Sequence, residues 1–507
     1  MKDMLCVISI ASHGIYMKIF QKKGTAVKII DKAVHVSLIG KEVFFEDKLT
    51  FNKIKEIIDT VKKMKIIAEG YQTDKIVVIG TTAVRKAKNN YYLQDQLKIN
   101  TGLDLLVMDK LDENYLAYEK ISVSLEKHLD DYNEKNNLIV YVGSGNISFS
   151  VISNGINIYN TNIEIGSLVL SDISDKLNLG TKKRNIVIDE YIKRHLSGIF
   201  RNISDIKIER VILAGKFFDI YIERVKNKKR IDFIEELTRE EIFEYNKKLY
   251  EKSPEEIAKT YNIKKIEAEM LTQKVNIIKN IIQKFNSNKI IFVNFKLSNS
   301  IAEFHFFKNE KIRRKIEKDS VESARKIAKR YYYMEEHVDK LEEIIDKIFN
   351  KVHKTHGLTK KDRYYLTLAN IFRETGKYIT LENYINFSRD ILEASGIFGI
   401  STREHLFISK ILKYFEEDIL ELENSKSISK EEKLSVAKLA AILKIAESLD
   451  SSMEQKIDDL EITSDENDIY FNVKLKKMIF LEKLEFEEKK EVFENVFGLK
   501  THLVINK

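Results

Sequence analysis

The chain has 507 residues, 43% hydrophobic and 32% charged, the balance of a protein that buries sizeable cores and divides into several domains. Its formal net charge of +8, from 86 basic against 78 acidic residues, suits either a polyanionic ligand or a solvated lysine-rich surface. A single cysteine, Cys6, excludes an intramolecular disulfide, and no apolar run approaches the ~20 residues needed to span a bilayer. The N-terminal run lacks the features of a signal peptide, so a cytoplasmic location without a membrane partner is expected. No zinc-ligand cluster or RNA-binding aromatic motif is present, so neither a structural metal nor a specific nucleic-acid partner is expected.

The chain opens with strand, small-residue turn, strand over residues 4–20, followed by two partly alternating runs, Ala26–Ile30 and Ala33–Ile39. Ile54, Ile57, Ile58, Val61, Met64 and Ile67 recur at helical spacing over 51–70. The strand Lys75–Gly80 runs into Thr81-Thr82-Ala83-Val84-Arg85, which opens a helix to about Asn100. A strand over Gly102–Met108 and a helix from Leu111 to Leu125 follow. From Asn136 the order repeats. The apolar run 138–142, the turn Gly143-Ser144-Gly145 and the run 147–152 form a hairpin whose glycines let backbone N–H groups approach a ligand. Next come strand-like Gly155–Tyr159, a helix opened by Ile163-Glu-Ile-Gly-Ser167, the strand Ile208–Gly215, a helical stretch over 239–287 broken near Ser253-Pro254, and the strand Lys289–Asn294. Strands separated by helices imply mixed sheets with crossovers, and the repeated order implies a duplicated domain with a cleft between its halves. From about Lys311 the texture becomes helical, with one helix expected over Val321–Asn350 containing Tyr331–Tyr333. Residues 458–507 return to α+β.

This order of segments resembles the exopolyphosphatase and guanosine-pentaphosphate phosphatase (Ppx/GppA) family. Ile79-Gly-Thr-Thr-Ala-Val-Arg-Lys-Ala-Lys-Asn89 is similar to the family's A-T-S-A-[LM]-R-x-A-x-N. Thr101–Met108, Leu111–Tyr118, Glu164–Leu170 and Ala440–Asp450 fall on further family segments. The resemblance implies two actin/hexokinase-like (ribonuclease H-like) α/β domains, residues 1–125 and 126–308. An HD-like helical domain over 309–455 and a small α+β part over 456–507 would follow. It further implies a homodimer that releases terminal phosphate from inorganic polyphosphate or guanosine pentaphosphate. Such chemistry relies on backbone donors, a cation and an aligned water more than on covalent steps.

Carried over by position, Glu113 falls on the glutamate that orients the attacking water. Ser12, His13, Gly14, Thr81, Thr82, Arg85, Gly143, Ser144, Gly145 and Gly166 fall on the phosphate-binding segments. Arg85 is also a plausible exposed helix-start arginine, and Lys216, after Ala214-Gly215, either adds positive charge or is a solvated loop lysine. The chain departs from the family at the first loop, Ser9-Ile-Ala-Ser-His-Gly14, and at the second, Tyr141-Val-Gly-Ser-Gly-Asn-Ile-Ser148. There Ser9, Tyr141 and Ser148 stand where carboxylates would hold Mg²⁺. Asp109 and Asp112 are candidates to compensate. In the helical region the expected His-Asp pair reads Arg373-Glu374, leaving His337 and Asp450 at the first and last ligand positions, too few to hold a metal. A hydrolase is the leading expectation. A catalytically impaired relative that binds a polyanion or a partner protein is the alternative, and an actin-fold kinase is a third.

Overall fold

A computed structural model of the chain describes residues 3–73, 75–177, 179–215, 219–226, 228, 234–285, 289–307, 310–331, 333–424 and 429–506. The chain forms two compact units, Met1–Ile316 and Glu317–Lys507.

The first unit opens with β1 (Met4–Ala11), β2 (Gly14–Lys23) and β3 (Ala26–Val36), then α1 (Ile39–Glu46), α2 (Phe51–Gly70), β4 (Lys75–Gly80), α3 (Thr82–Lys86), α4 (Asn90–Thr101), β5 (Leu105–Val107) and α5 (Lys110–His128). Its sheet runs β3-β2-β1-β4-β5, with the first three strands antiparallel and β4 and β5 parallel to β1. Every residue of β1 from Leu5 to Ile10 is buried, because both faces of a central strand are covered and the run must be apolar throughout. β2 and β3 keep their pairing through a bulge at Ile19/Phe20.

The second half of this unit repeats the plan with β6 (Asn137–Val142), β7 (Ile147–Ser153), β8 (Ile156–Ile163), α6 (Ser167–Lys176), α7 (Thr181–Asn202), β9 (Arg210–Ala214), β10 (Ile234–Thr238), α8 (Arg239–Tyr250), α9 (Pro254–Tyr261), α10 (Lys265–Lys284), β11 (Lys289–Val293) and α11 (Leu297–Phe307). The order β8-β7-β6-β9-β11 matches the first sheet strand for strand, and β10 adds an antiparallel edge. Reciprocal capping boxes start α8 (Thr238 with Glu241) and α9 (Ser253 with Glu256). In α9, Pro254 takes a first-turn position where its missing N–H costs nothing.

The remaining elements are α12 (Glu310–Lys329), α13 (Glu335–Val352), α14 (Lys360–Phe372), α15 (Tyr384–Ala394), α16 (Thr402–Glu416), α17 (Lys430–Ser448), β12 (Ile457–Ser464), β13 (Asp468–Leu475), α18 (Phe480–Phe497) and β14 (Lys500–Asn506). β13 pairs antiparallel with β12 and parallel with β14. Residues of this small sheet, Ile457, Ile469, Phe471 and Val473, share one hydrophobic core with Leu341, Leu366, Ile442 and other helical residues.

Several boundaries differ from the sequence reading. The two runs over 26–39 are one strand, and Ile39 starts α1, whose apolar entry offers no side-chain cap to read. The helix expected through 81–100 breaks at Ala87–Asn89 into α3 and α4. β8 continues to Ile163, the residue expected to open a helix, and the helical stretch 239–287 has a second break at Asn262, which adopts φ 52°. The helix expected across Val321–Asn350 stops at Lys329. Arg330 and Tyr331 close the last turn with i−3 hydrogen bonds, so Tyr331 and Tyr333 flank a break; Tyr332 lies outside the described residues. In α2 the buried stripe ends on Ala68, whereas Ile67 is exposed. Helix α7 and strand β10 were not anticipated.

Candidate functional site

Residues named from the sequence lie where the loops of the two α/β halves meet. Ala11 pairs with Gly14, so Ser12 and His13 form the two-residue turn between β1 and β2, and both are buried. The Ser12 carbonyl accepts from Gly40 N–H at 2.8 Å and that of His13 from Ser37 N–H at 3.2 Å, tying the turn to the entry of α1. Gly14 serves strand packing: a Cβ there would lie 2.6 Å from the His35 carbonyl oxygen of β3.

Thr81 N–H donates to the Ile10 carbonyl at 3.0 Å, and Thr82 begins α3 with its hydroxyl 3.4 Å from Asn146 Oδ1 of the second half. Three residues on, Arg85 points inward. Its Nη1 donates to the Met108 carbonyl at 2.7 Å and lies 3.5 Å from Glu113 Oε2, and its Nη2 reaches the Thr82 hydroxyl at 3.4 Å. Arg85 therefore faces Glu113 and Thr82 and is not an exposed helix-start residue. Burial pushes the Glu113 carboxyl above the usual carboxylate range, opposed by the Arg85 guanidinium.

In the second half, Gly143 N–H donates to the Asn146 carbonyl at 2.8 Å, closing the turn Ser144-Gly145. Ser167 and Leu168 N–H, at the start of α6, donate to the carbonyls of Gly143 (3.3 Å) and Ser144 (2.9 Å). A Cβ on Gly166 would lie 2.2 Å from the Ser144 carbonyl carbon, and one on Gly145 would lie 2.6 Å from Thr82 Cγ2 and 2.9 Å from Phe44 Cζ. The glycines thus let backbone meet backbone, and Thr82 and Phe44 of the first half pack directly on the second loop.

Asn146, Ser167 and Phe44 belong to this site although sequence reasoning did not name them. Asn146 and Ser167 adjoin the glycines already singled out, which was the available signal. Phe44 lies on the unanticipated α1. Four buried atoms without a hydrogen-bond partner lie here: Ser9 Oγ, Arg85 Nε, Asn146 Nδ2 and Ser167 Oγ. Tyr141 stacks edge-on against Phe295 with ring centroids 5.5 Å apart. Its phenol is held protonated well above the usual range, first by burial and then by the charge of Glu113. Ser148 accepts from Asn162 Nδ2 at 3.3 Å. At the rim, Glu164 is bridged by Lys86 (2.6 Å) and Lys110. Asp112 is exposed, Asp109 is half-buried, and Lys216 lies outside the described residues.

Mg²⁺ takes octahedral oxygen coordination, usually one or two carboxylates with waters and substrate phosphates; here Ser9, Tyr141 and Ser148 offer no carboxylate, and Glu113 lies 3.5 Å from Arg85 Nη1. Among the described residues no group of three or more His, Cys, Asp or Glu side chains is placed to hold a metal.

The helical unit gathers a second set of the residues read from sequence. His337 on α13 binds Asp450 Oδ2 through Nδ1 at 2.7 Å, and Arg373 Nη2 donates to His337 Nε2 at 2.8 Å. His337 and Arg373 are wholly buried, and Arg373 Nη1 lies 3.6 Å from Glu374 and 3.8 Å from Glu447. Lys377 and Lys489 pair in turn with Glu374 and Glu447. A guanidinium therefore sits between an imidazole and two carboxylates, with Asp450 on the far side of the imidazole.

Two duplicated sheets of this order, joined by facing glycine turns and followed by a helical unit, define an actin-like α/β protein with an added helical unit. The family model described as Ppx/GppA phosphatase, domain III matches residues 320–490. An exopolyphosphatase from Cytophaga hutchinsonii superposes with a TM-score of 0.53 at 16% identity, covering 60% of this chain and 97% of that one. An Aquifex aeolicus Ppx/GppA family member gives a TM-score of 0.51 at 19% identity, covering 60% of this chain and 98% of that one. An exopolyphosphatase-like protein gives 0.52 at 13% identity, over 60% and 97% of the two chains. These likenesses are of fold. No curated protein matches the chain in sequence. Residues 320–490 thus match a Ppx/GppA phosphatase domain, a stretch shorter than half of the chain. Among the described residues no helix is long and apolar enough to cross a membrane.

Proposed function

We propose that the junction of the two α/β halves recognises the terminal phosphates of a phosphate chain, inorganic polyphosphate or guanosine pentaphosphate, without a resident metal and with impaired turnover. The observation that carries this reading is the cluster of buried, unpartnered polar atoms Ser9 Oγ, Arg85 Nε, Asn146 Nδ2 and Ser167 Oγ beside the two glycine turns. A buried donor left unmade costs about 1–3 kcal/mol, and phosphate oxygens are acceptors that relieve several such donors at once. Neutral hydroxyls at Ser9 and Ser148 also lessen the repulsion that carboxylates would exert on an anion, so Arg85 can attract it without a divalent ion. Thr82 packs on Gly145, so admission of the ligand requires that contact to open.

Hydrolysis of the terminal phosphate is the second reading, favoured by Glu113. Its burial raises the carboxyl above its ordinary value, the direction that favours a general base. Calorimetry with long-chain polyphosphate, with and without magnesium, is paired with a phosphate-release assay of the native chain and Glu113→Gln. Tight magnesium-independent binding without release supports recognition. Release that disappears in Glu113→Gln supports hydrolysis. Absence of both binding and release ends both readings.

A further inference from the structure

Away from the junction, α7 and α10 flank an open groove of about 370 Å³. Its α7 wall presents Lys193, Leu196, Phe200 and Arg201, residues three, four and one apart that share one stripe of the helix. The α10 wall presents Asn280 and Lys284, one turn apart. Lys193, Arg201 and Lys284 are exposed, Phe200 is half-buried, and Leu196 and Asn280 are buried.

The charge balance favours an anion. The acidic group beneath the groove, Asp189, is bound by Lys279 Nζ at 2.7 Å, by Lys193 Nζ at 2.9 Å and by Asn280 Nδ2 at 2.8 Å, so it does not oppose a negative ligand. Asn280 supplies a second, independent feature. Its side-chain nitrogen is engaged by Asp189 and Asn276, while its Oδ1 is buried without a donor in a residue only 4% exposed. That oxygen asks for an N–H or O–H from whatever fills the groove.

We propose that this groove is a binding site for a nucleoside phosphate, separate from the junction. Phosphate oxygens meet Arg201 and Lys284, an amino or hydroxyl group of the nucleoside donates to Asn280 Oδ1, and the half-buried Phe200 covers an apolar face. Inorganic polyphosphate satisfies the cations but offers no organic face for Phe200 and no neutral donor for Asn280.

The test is calorimetric titration of the full chain with ADP as probe and inorganic tripolyphosphate as comparison. Three variants are included: the surface pair Arg201→Glu/Lys284→Glu, Asn280→Leu, and the junction variant Arg85→Ala. One ADP is expected per chain, unchanged by Arg85→Ala and weakened at least about tenfold by the surface pair. Asn280→Leu, if it folds by circular dichroism, should weaken ADP but not tripolyphosphate. No ADP binding, or ADP binding indifferent to the exposed pair, overturns the proposal. So does tripolyphosphate binding there as tightly as ADP.

Discussion

Arg373 places Nη2 2.8 Å from Nε2 of His337, with both side chains fully buried, and so fixes the histidine with its proton on Nδ1 facing Asp450. Three helices, α13, α14 and α17, contribute to this one charged centre or end beside it. Removing one member of a buried charge network is more costly than never having built it, because the partners are left uncompensated. Arg373→Met should therefore lower the unfolding free energy by about 3–5 kcal/mol. Denaturant unfolding followed by circular dichroism measures this. A loss under about 1 kcal/mol would show that the network contributes little.

The same centre predicts a pH dependence. Burial alone would raise the carboxyls of Glu374 and Glu447. The opposing charges of Arg373 with Lys377, and of Arg373 with Lys489, outweigh it and hold both below the usual range. A carboxyl depressed on folding contributes stability that is present above its unfolded value, about 4.3, and is lost as pH falls through the folded value. The native chain should lose stability steeply below about pH 4. Arg373→Met removes the first of the opposing charges while Lys377 and Lys489 remain, so the loss of stability on the acid side should be smaller. Thermal melts across pH 3–8 compare the two slopes.

Glu113 behaves oppositely. Its carboxyl is raised by burial, so the stability it contributes is fully present below the unfolded value and is lost as pH rises through the folded one. Glu113→Gln should melt at or above the native temperature at pH 8 and show a flatter profile between pH 5 and 8. Arg85→Ala removes the opposing charge and should steepen that loss. Parallel profiles for all three proteins would contradict the assignment.

The glycine contacts are directly testable. In Gly166→Ala the new Cβ meets the Ser144 backbone at 2.2 Å, which cannot swing aside, and the substitution should cost about 1–3 kcal/mol or more. In Gly145→Ala the nearest atom is Thr82 Cγ2 at 2.6 Å, a methyl that Thr82→Ser deletes. The double variant should recover part of the loss, measured as a coupling energy in a double-mutant cycle.

Much of the fold was legible because burial leaves a local pattern. β1 and β6 read as strands because their central runs are apolar on both faces, and α2 because apolar residues recur every three to four positions. The failures lie where no local signal exists. α1 begins without a cap. The break after Lys329 lacks both glycine and proline, and its i−3 closure with the half-buried or buried Tyr331 and Tyr333 is a packing outcome.

The candidate sites divide in the same way. The glycine turn Gly143-Ser144-Gly145 was read from the residues themselves, and the resemblance to a known family, carried over by position, named Glu113, Arg85, His337, Arg373 and Asp450 without coordinates. Which of them meet was decided by tertiary structure. Thr82 reaches Asn146 across 64 positions, and Asp450 reaches His337 across 113. A periodic pattern states which face of an element must leave water. The partner found on that face depends on how sheets and helices from distant parts of the chain pack, because these are close-range contacts between side chains far apart in sequence.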